Sequence, residues 1–312
     1  MKYGLLILSV LLSSQAYGLE DGDELEALAI KHAPLIYFHP DEAYLPTSLG
    51  EQLPYLSLYK KGELSTPIMK DLNLTIFEDW VNKTPATKDY SLRIRPEFQK
   101  IAKKGNLKKA ECYAYPHQVE RDGHSYIEIP YLIYYGYNGI PRSRNPLWDA
   151  FFQWQQFGIH EGDWEHINVI LDQETKNITG IFYAAHGQGE ARYYTQEGTS
   201  LEVDPSLDDG YKLRDGRPVV FSALETHASY NRTGFLARSA HRSLIEIFAS
   251  ITHILPSDKT AMGLHLDCKE MGRLQTFHQK EKTWADYQGD YGGPTGPGGK
   301  SFWKGKQNLV IP

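Results

Sequence analysis

Residues 158–171 read Gly-Ile-His-Glu-Gly-Asp-Trp-Glu-His-Ile-Asn-Val-Ile-Leu. His160, Glu161, Asp163, Glu165 and His166 are crowded together there and run directly into an apolar, β-like segment. Strands ordinarily open on turn residues and then alternate apolar with polar. Proton- and metal-capable groups concentrated at such a point mark a functional centre. In an extended chain successive side chains face opposite ways. Asp163 and Glu165 therefore share one side, Trp164 and His166 the other, and Ile167 and Val169 continue the acidic side as core. Two carboxylates at the rim of a buried face repel unless a cation, a proton or an arginine sits between them. With His160 approaching from the preceding loop, Asp163 and Glu165 form a partial shell for a divalent cation, Mg or Ca in preference to Zn.

Other groups extend this cluster if their strand ends meet it. His186 follows the segment Ile178 to Ala185, and His227 follows Arg217 to Glu225. His227 and His166 are the candidate proton carriers, and His186, His39, Asp41 and Ser229 are candidate lining residues. His39 and Asp41 lie in a Pro-bounded turn after the first strand, which on its own reads as a capped, solvent-facing turn. No Gly-x-Ser-x-Gly elbow, phosphate-binding glycine loop, His-Glu-x-x-His helix or EF-hand loop is present.

The elements that must position these groups are mostly strands. Residues 21–33 read as a short helix ended by Pro34, followed by a strand from Leu35. Glu97–Lys104 reads as a short helix after Pro96. Asp122-Gly123 predicts a hairpin turn, and its second strand would carry Tyr131, Ile133, Tyr135 and Tyr137 on one face as sheet core. Residues 138–158, with Trp148, Phe151, Phe152 and Trp154, read as a long packed aromatic loop. Residues 238–254 read as an amphipathic helix with Leu244, Ile247, Phe248 and Ile251 on one stripe. The Gly- and Pro-rich tail reads as a wrap that buries Trp284, Tyr287, Tyr291 and Trp303. The expected fold is mainly β: a single β-sandwich-like domain over residues 19–312 with peripheral helices.

Residues 1–18 fit a secretory signal peptide: Lys2, an apolar run from Leu5 to Leu12, and Ala16-Tyr17-Gly18 as a small-x-small cleavage site. No later segment has the length and apolarity of a membrane helix. The expected location is outside the cell, in a periplasm, or in an endomembrane lumen such as a vacuole or lysosome. The net charge of −6 argues against a nucleic-acid backbone as partner. The two cysteines, Cys112 and Cys268, are compatible with one disulfide in an exported chain. Asn73, Asn82, Asn177 and Asn231 each begin an Asn-x-Thr glycosylation triplet, a mark of surface position in a secreted protein.

Several spaced blocks resemble the vacuolar-protein-sorting-associated protein 62 family: Ala33-Pro-Leu-Ile-Tyr-Phe-His-Pro-Asp-Glu-Ala-Tyr-Leu-Pro, Tyr131-Leu-Ile-Tyr-Tyr-Gly-Tyr-Asn, Gly158-Ile-His-Glu-Gly-Asp-Trp-Glu-His, Pro218-Val-Val-Phe-Ser-Ala, Thr226-His-Ala-Ser-Tyr and the Gly-Pro-rich stretch before Trp303. The family's name implies a sorting role. A shorter resemblance links Ile159-His-Glu-Gly-Asp-Trp-Glu165 to the heptapeptide Gly-His-Arg-His-Asp-Trp-Glu of the necrosis- and ethylene-inducing-like proteins, secreted cytolysins with a β-sandwich fold. That resemblance implies a divalent-cation site on His160, Asp163 and Glu165. Ile159, Glu161 and Gly162 depart from the pattern, removing the arginine and second histidine and leaving cytolytic activity unsupported. Together these readings favour an exported protein with a cation-organised rim that binds a surface ligand, a glycan or lipid headgroup. A metal-dependent hydrolase and a vacuolar or lysosomal sorting component are the rivals.

Overall fold

A computed structural model describes residues 22–121, 123–143, 145–156, 158–185, 192–195, 198–199, 212–237, 257–277 and 283–292. The expected signal peptide, His186, the 238–254 helix and Trp303 lie outside them.

The fold is mainly β, and its axis is a hairpin. β6 (His117–Arg121) turns through Gly123, at φ +79°, into β7 (His124–Asn138). β7 then pairs antiparallel with β8 (His160–Asp172) along nearly its whole length. β5 (Cys112–Ala114) and β2 (Pro46–Thr47) also pair with β7. β9 (Ile178–Tyr183), β10 (Arg192–Thr195) and β11 (Gly198–Thr199) extend the sheet from β8, and β18 (Leu274–Thr276) extends it from β5.

β7 is apolar on both faces because both faces are covered. Ile129, Tyr131, Ile133 and Tyr135 join Ile167, Val169 and Tyr183 in one core, which packs against a second sheet. That sheet comprises β1 (Leu35–Tyr37), β12 (Leu213–Arg214), β13 (Arg217–Ser222), β14 (Ser229–Tyr230) and β17 (His265–Asp267), and it contributes Ile36, Val220 and Leu266. α1 (Gly22–Lys31) adds Leu28 and Ala29. The alternate residues Leu132 and Tyr134 join Trp164 in a second core. It is closed by β3 (Leu56–Lys60), β4 (Tyr90–Ile94) and β19 (Asp290–Tyr291), and by α3 (Leu74–Lys83), which brings Phe77 and Val81. The aromatic stripe is sheet core, as its alternation predicts, and Trp284, Tyr287 and Tyr291 are buried as expected. β15 (Gly234–Ala237) and β16 (Ser257–Thr260) form a separate pair. α2 (Leu49–Gln52) and α4 (Gln99–Lys104) are short helices that contribute Leu49 and Ala102 to the second core.

One expected element is corrected. Residues 138–158 contain a helix, α5 (Pro146–Gln155), rather than a continuous loop. The Asn145 side chain accepts a hydrogen bond from the Leu147 amide, and Pro146 occupies the first turn. Both are standard helix starts. The run of aromatics obscured them, since only Phe152 of the helix is buried and Trp154 is exposed.

Cys112 and Cys268 are joined in a disulfide. It ties β5 of the central sheet to the residue following β17 of the second sheet, and both cysteines are buried. Its loop spans a sequence separation of 156 residues, for which the chain-entropy picture gives a contribution of up to about 5 kcal/mol. Replacing both cysteines with serine lowers the guanidinium midpoint markedly. Added reductant leaves the double variant unchanged while moving the parent toward it.

Candidate functional site

At the start of β8 the alternation of faces places Asp163 opposite Tyr135 and Glu165 opposite Ile133, both on the side of the first core. Trp164 enters the second core. Gly162 breaks the regular strand at φ +64°. A side chain there would meet the backbone of Tyr291, and one on Gly292 would meet the backbone of Glu161. This close approach explains why glycine stands at this place in the motif. Glu161 serves the second core's margin: its carboxylate accepts from the Ile94 amide at 2.9 Å and the Gln99 side chain at 2.7 Å.

The charge that meets Asp163 is His227. Its Nδ1 stands 3.0 Å from Asp163 Oδ2, and its Nε2 faces Glu42 Oε1 at 3.7 Å. The imidazole is fully buried and lies flat on the Tyr135 ring, with centroids 3.8 Å apart and planes 9° from parallel. The Tyr135 hydroxyl is 3.3 Å from Ser222 Oγ, which in turn donates to the His227 carbonyl.

The backbone here is strained. Glu225 and His227 have φ of +63° and +57°, values that non-glycine residues adopt at a cost and keep only where surroundings enforce them. Asp258 supplies part of that enforcement by accepting hydrogen bonds from Thr226 Oγ1 and the Tyr230 hydroxyl. Glu42 supplies more, its Oε2 accepting from the Glu225 amide at 2.7 Å. The Glu225 carboxylate accepts from the Ile140 amide and pairs with Arg142, so the turn is clasped to the chain leaving β7.

Burial works against charge on His227, but hydrogen bonding and attraction from Asp163 and Glu42 outweigh it and raise its pKa to about 9. Glu42 is also penalised by burial, yet His227 and the Glu225 and Tyr44 amides hold it below its ordinary value. The three side chains thus form a carboxylate–imidazolium–carboxylate unit with one net negative charge. Glu165 adds a further carboxylate on the same face.

The expected candidates separate accordingly. Asp163 and His227 are brought together. His160 is turned back, its Nδ1 bonding the Gly162 carbonyl at 2.8 Å. Among the described residues no group of three His, Cys, Asp or Glu side chains is arranged to hold a metal ion, so His160, Asp163 and Glu165 are not gathered as a preformed shell. His166 faces away from His227, against Phe182. His39 is buried but accepts from the Asp41 amide, and Asp41 itself is exposed. Ser229 is buried in β14 opposite Ser222. Glu42 was missed: it shares the His39 turn, and nothing local distinguishes it from a solvent-facing acid. Tyr135 is core, as its alternation predicts, and its ring is also the floor under His227.

A mainly β chain, with two cores flanking one sheet and a buried histidine–carboxylate cluster where β8 begins, is the class that fold and site define. The description "Vacuolar protein sorting-associated protein 62" matches residues 11–252, and the chain belongs to that family. The putative vacuolar protein sorting-associated protein TDA6 of Saccharomyces cerevisiae is 22% identical over 232 residues, covering 68% of this chain and 47% of that protein. The chain therefore spans about half the length of this curated relative. Solved structures similar to it include Necrosis and Ethylene inducing Protein 2 from the causal agent of cocoa's Witches Broom disease. That match has 14% identity and a TM-score of 0.33, and covers 84% of this chain and 76% of the other. NLPPya in complex with glucosamine matches at 14% identity and a TM-score of 0.36, covering 86% and 81%.

Two outcomes follow from the cluster. His227→Ala leaves Asp163 and Glu42 facing each other without a cation and lowers stability by about 3–5 kcal/mol, read by urea unfolding. The double variant His227→Gln with Asp163→Asn recovers part of the loss. The pH profile has a defined sign. His227 has a folded pKa above its unfolded value, so its contribution is complete below about pH 6.5 and is lost as pH rises through about 9. The parent's melting temperature falls over that window, and the double variant's falls less.

Proposed function

We propose that the chain is an exported binding protein whose rim at the start of β8 takes up a divalent cation and, through it, a hydroxylated or anionic surface ligand such as a glycan or lipid headgroup. The observation that supports this reading is the acidic excess on one face. Asp163 and Glu165 share one face of β8 and Glu42 lies across His227 from Asp163, so that three carboxylates stand near one imidazole among the described residues. Oxygen donors of this kind suit Mg or Ca rather than Zn. Glu165 is half-buried at the margin and would hold the ion on its open side, with Asp163 behind it. When bound, the cation would supply a positive centre for ligand oxygens. The chain's own residues orient the rim and exclude water from its inner side.

Binding is favoured over hydrolysis by the placement of the proton carriers. His227 is enclosed beneath the rim, and His166 is on the other face of β8. A sorting role in an endomembrane lumen is the alternative, supported by the family match and tested by localising a tagged chain.

Calorimetric titration of the full chain with Mg and Ca tests the cation. Saturable binding that raises the melting temperature, and that Glu165→Gln weakens at least tenfold without altering the unliganded melt, is the expected result. No heat and no thermal shift with either ion overturns the reading. Retention on glycan arrays or anionic vesicles that is lost with chelator identifies the ligand class.

A further inference from the structure

The family and the rim do not account for the four Asn-x-Thr triplets. The chain has nine asparagines and sixteen threonines, whose random placement would produce about half of one such triplet. Four of the nine asparagines begin one, so the triplets are enriched rather than incidental.

The structure separates them. Asn177 is exposed in the turn joining β8 to β9, beyond Asp172 and at the opposite end of β8 from the rim. Asn82 is exposed in the last turn of α3. Asn73 is exposed at the start of the same helix, where its Oδ1 accepts from the Ile76 amide. A sugar is attached through Nδ2, so that cap survives modification. Asn231 is different: it is 1% exposed just after β14, and the folded chain leaves no room for a glycan there.

We infer that Asn73, Asn82 and Asn177 are N-glycosylation sites and that Asn231 stays bare. The donor class is a lipid-diphosphate-linked oligosaccharide. The side-chain amide nitrogen forms a bond to the anomeric carbon, the carbon–oxygen bond to the diphosphate breaks, the lipid diphosphate leaves, and the amide proton passes to the transferase. Asn177 lies at the far end of β8 from the rim, and Asn73 and Asn82 belong to α3, whose buried face packs in the second core. The inference rests on export through a glycosylating lumen and is independent of the cation.

The test uses the full chain with its own N-terminal segment, produced in a secreting eukaryotic host. Peptide-N-glycosidase digestion in heavy-oxygen water converts each occupied asparagine to labelled aspartate for mass mapping. Label at residues 73, 82 and 177 and none at 231 is expected. Thr75→Ala, Asn82→Gln and Asn177→Gln should each remove one gel-mobility step and leave thermal unfolding unchanged; Thr75→Ala abolishes its triplet while sparing the Asn73 cap. A secreted, folded chain without digestible glycan at these three positions overturns the assignment and leaves the cation reading standing. Glycan on Asn231 in the folded fraction overturns it equally, and a chain that never leaves the cytosol overturns both this inference and export.

Discussion

A positive charge buried between two carboxylates governs the architecture around the rim. Desolvating Asp163 or Glu42 alone would be strongly unfavourable, and a neutral histidine between them would leave like charges opposed. Protonated His227 resolves both problems if it stays fixed. The Tyr135 ring beneath it, the left-handed backbone at residues 225 and 227, and the bonds to Asp258 and Glu42 all serve that fixation. Breaking such a unit at one member is much worse than never having it. The cluster therefore holds together strand β8, the turn after β1 and the turn after β13 as one piece.

Much of this was legible in the residues. Period-two reasoning assigned Asp163 and Glu165 to one face and Trp164 to the other, and the two cores receive them accordingly. It also identified the sheet core along Tyr131, Ile133 and Tyr135 and the hairpin at Gly123. Charge alone called for something positive between Asp163 and Glu165, whereas the positive group found lies between Asp163 and Glu42. His227 was a candidate extension of the cluster, but it lies far along the chain in the turn between β13 and β14, and nothing local marks it as Asp163's partner. Glu42 was hidden for the same reason: its carboxylate caps an amide of residue 225, a contact that only the tertiary fold creates. The bond from His160 Nδ1 to the Gly162 carbonyl is likewise a product of the turn at Gly162 that proximity in sequence does not show.

The departures of the motif from the cytolysin heptapeptide have a packing reason. A histidine in place of Gly162 would collide with the backbone of Tyr291, and Glu161 is committed to Ile94 and Gln99. These positions are occupied by structural duties on the second-core side, while the shared Asp and Glu keep the first-core side. One short sequence thus serves two cores, and its two halves answer to different constraints.

The backbone contact between Gly162 and Tyr291 also sets an order of events. A ribosome delivers β8 well before residues 290–292, which pair with β4 and close against it. Contacts between segments so distant in the chain form late and slowly. The second-core side of the motif consequently lacks its native packing until residues 290–292 have emerged and docked. A truncated product would carry the whole motif yet lack the backbone of residues 290–292 that packs on Gly162.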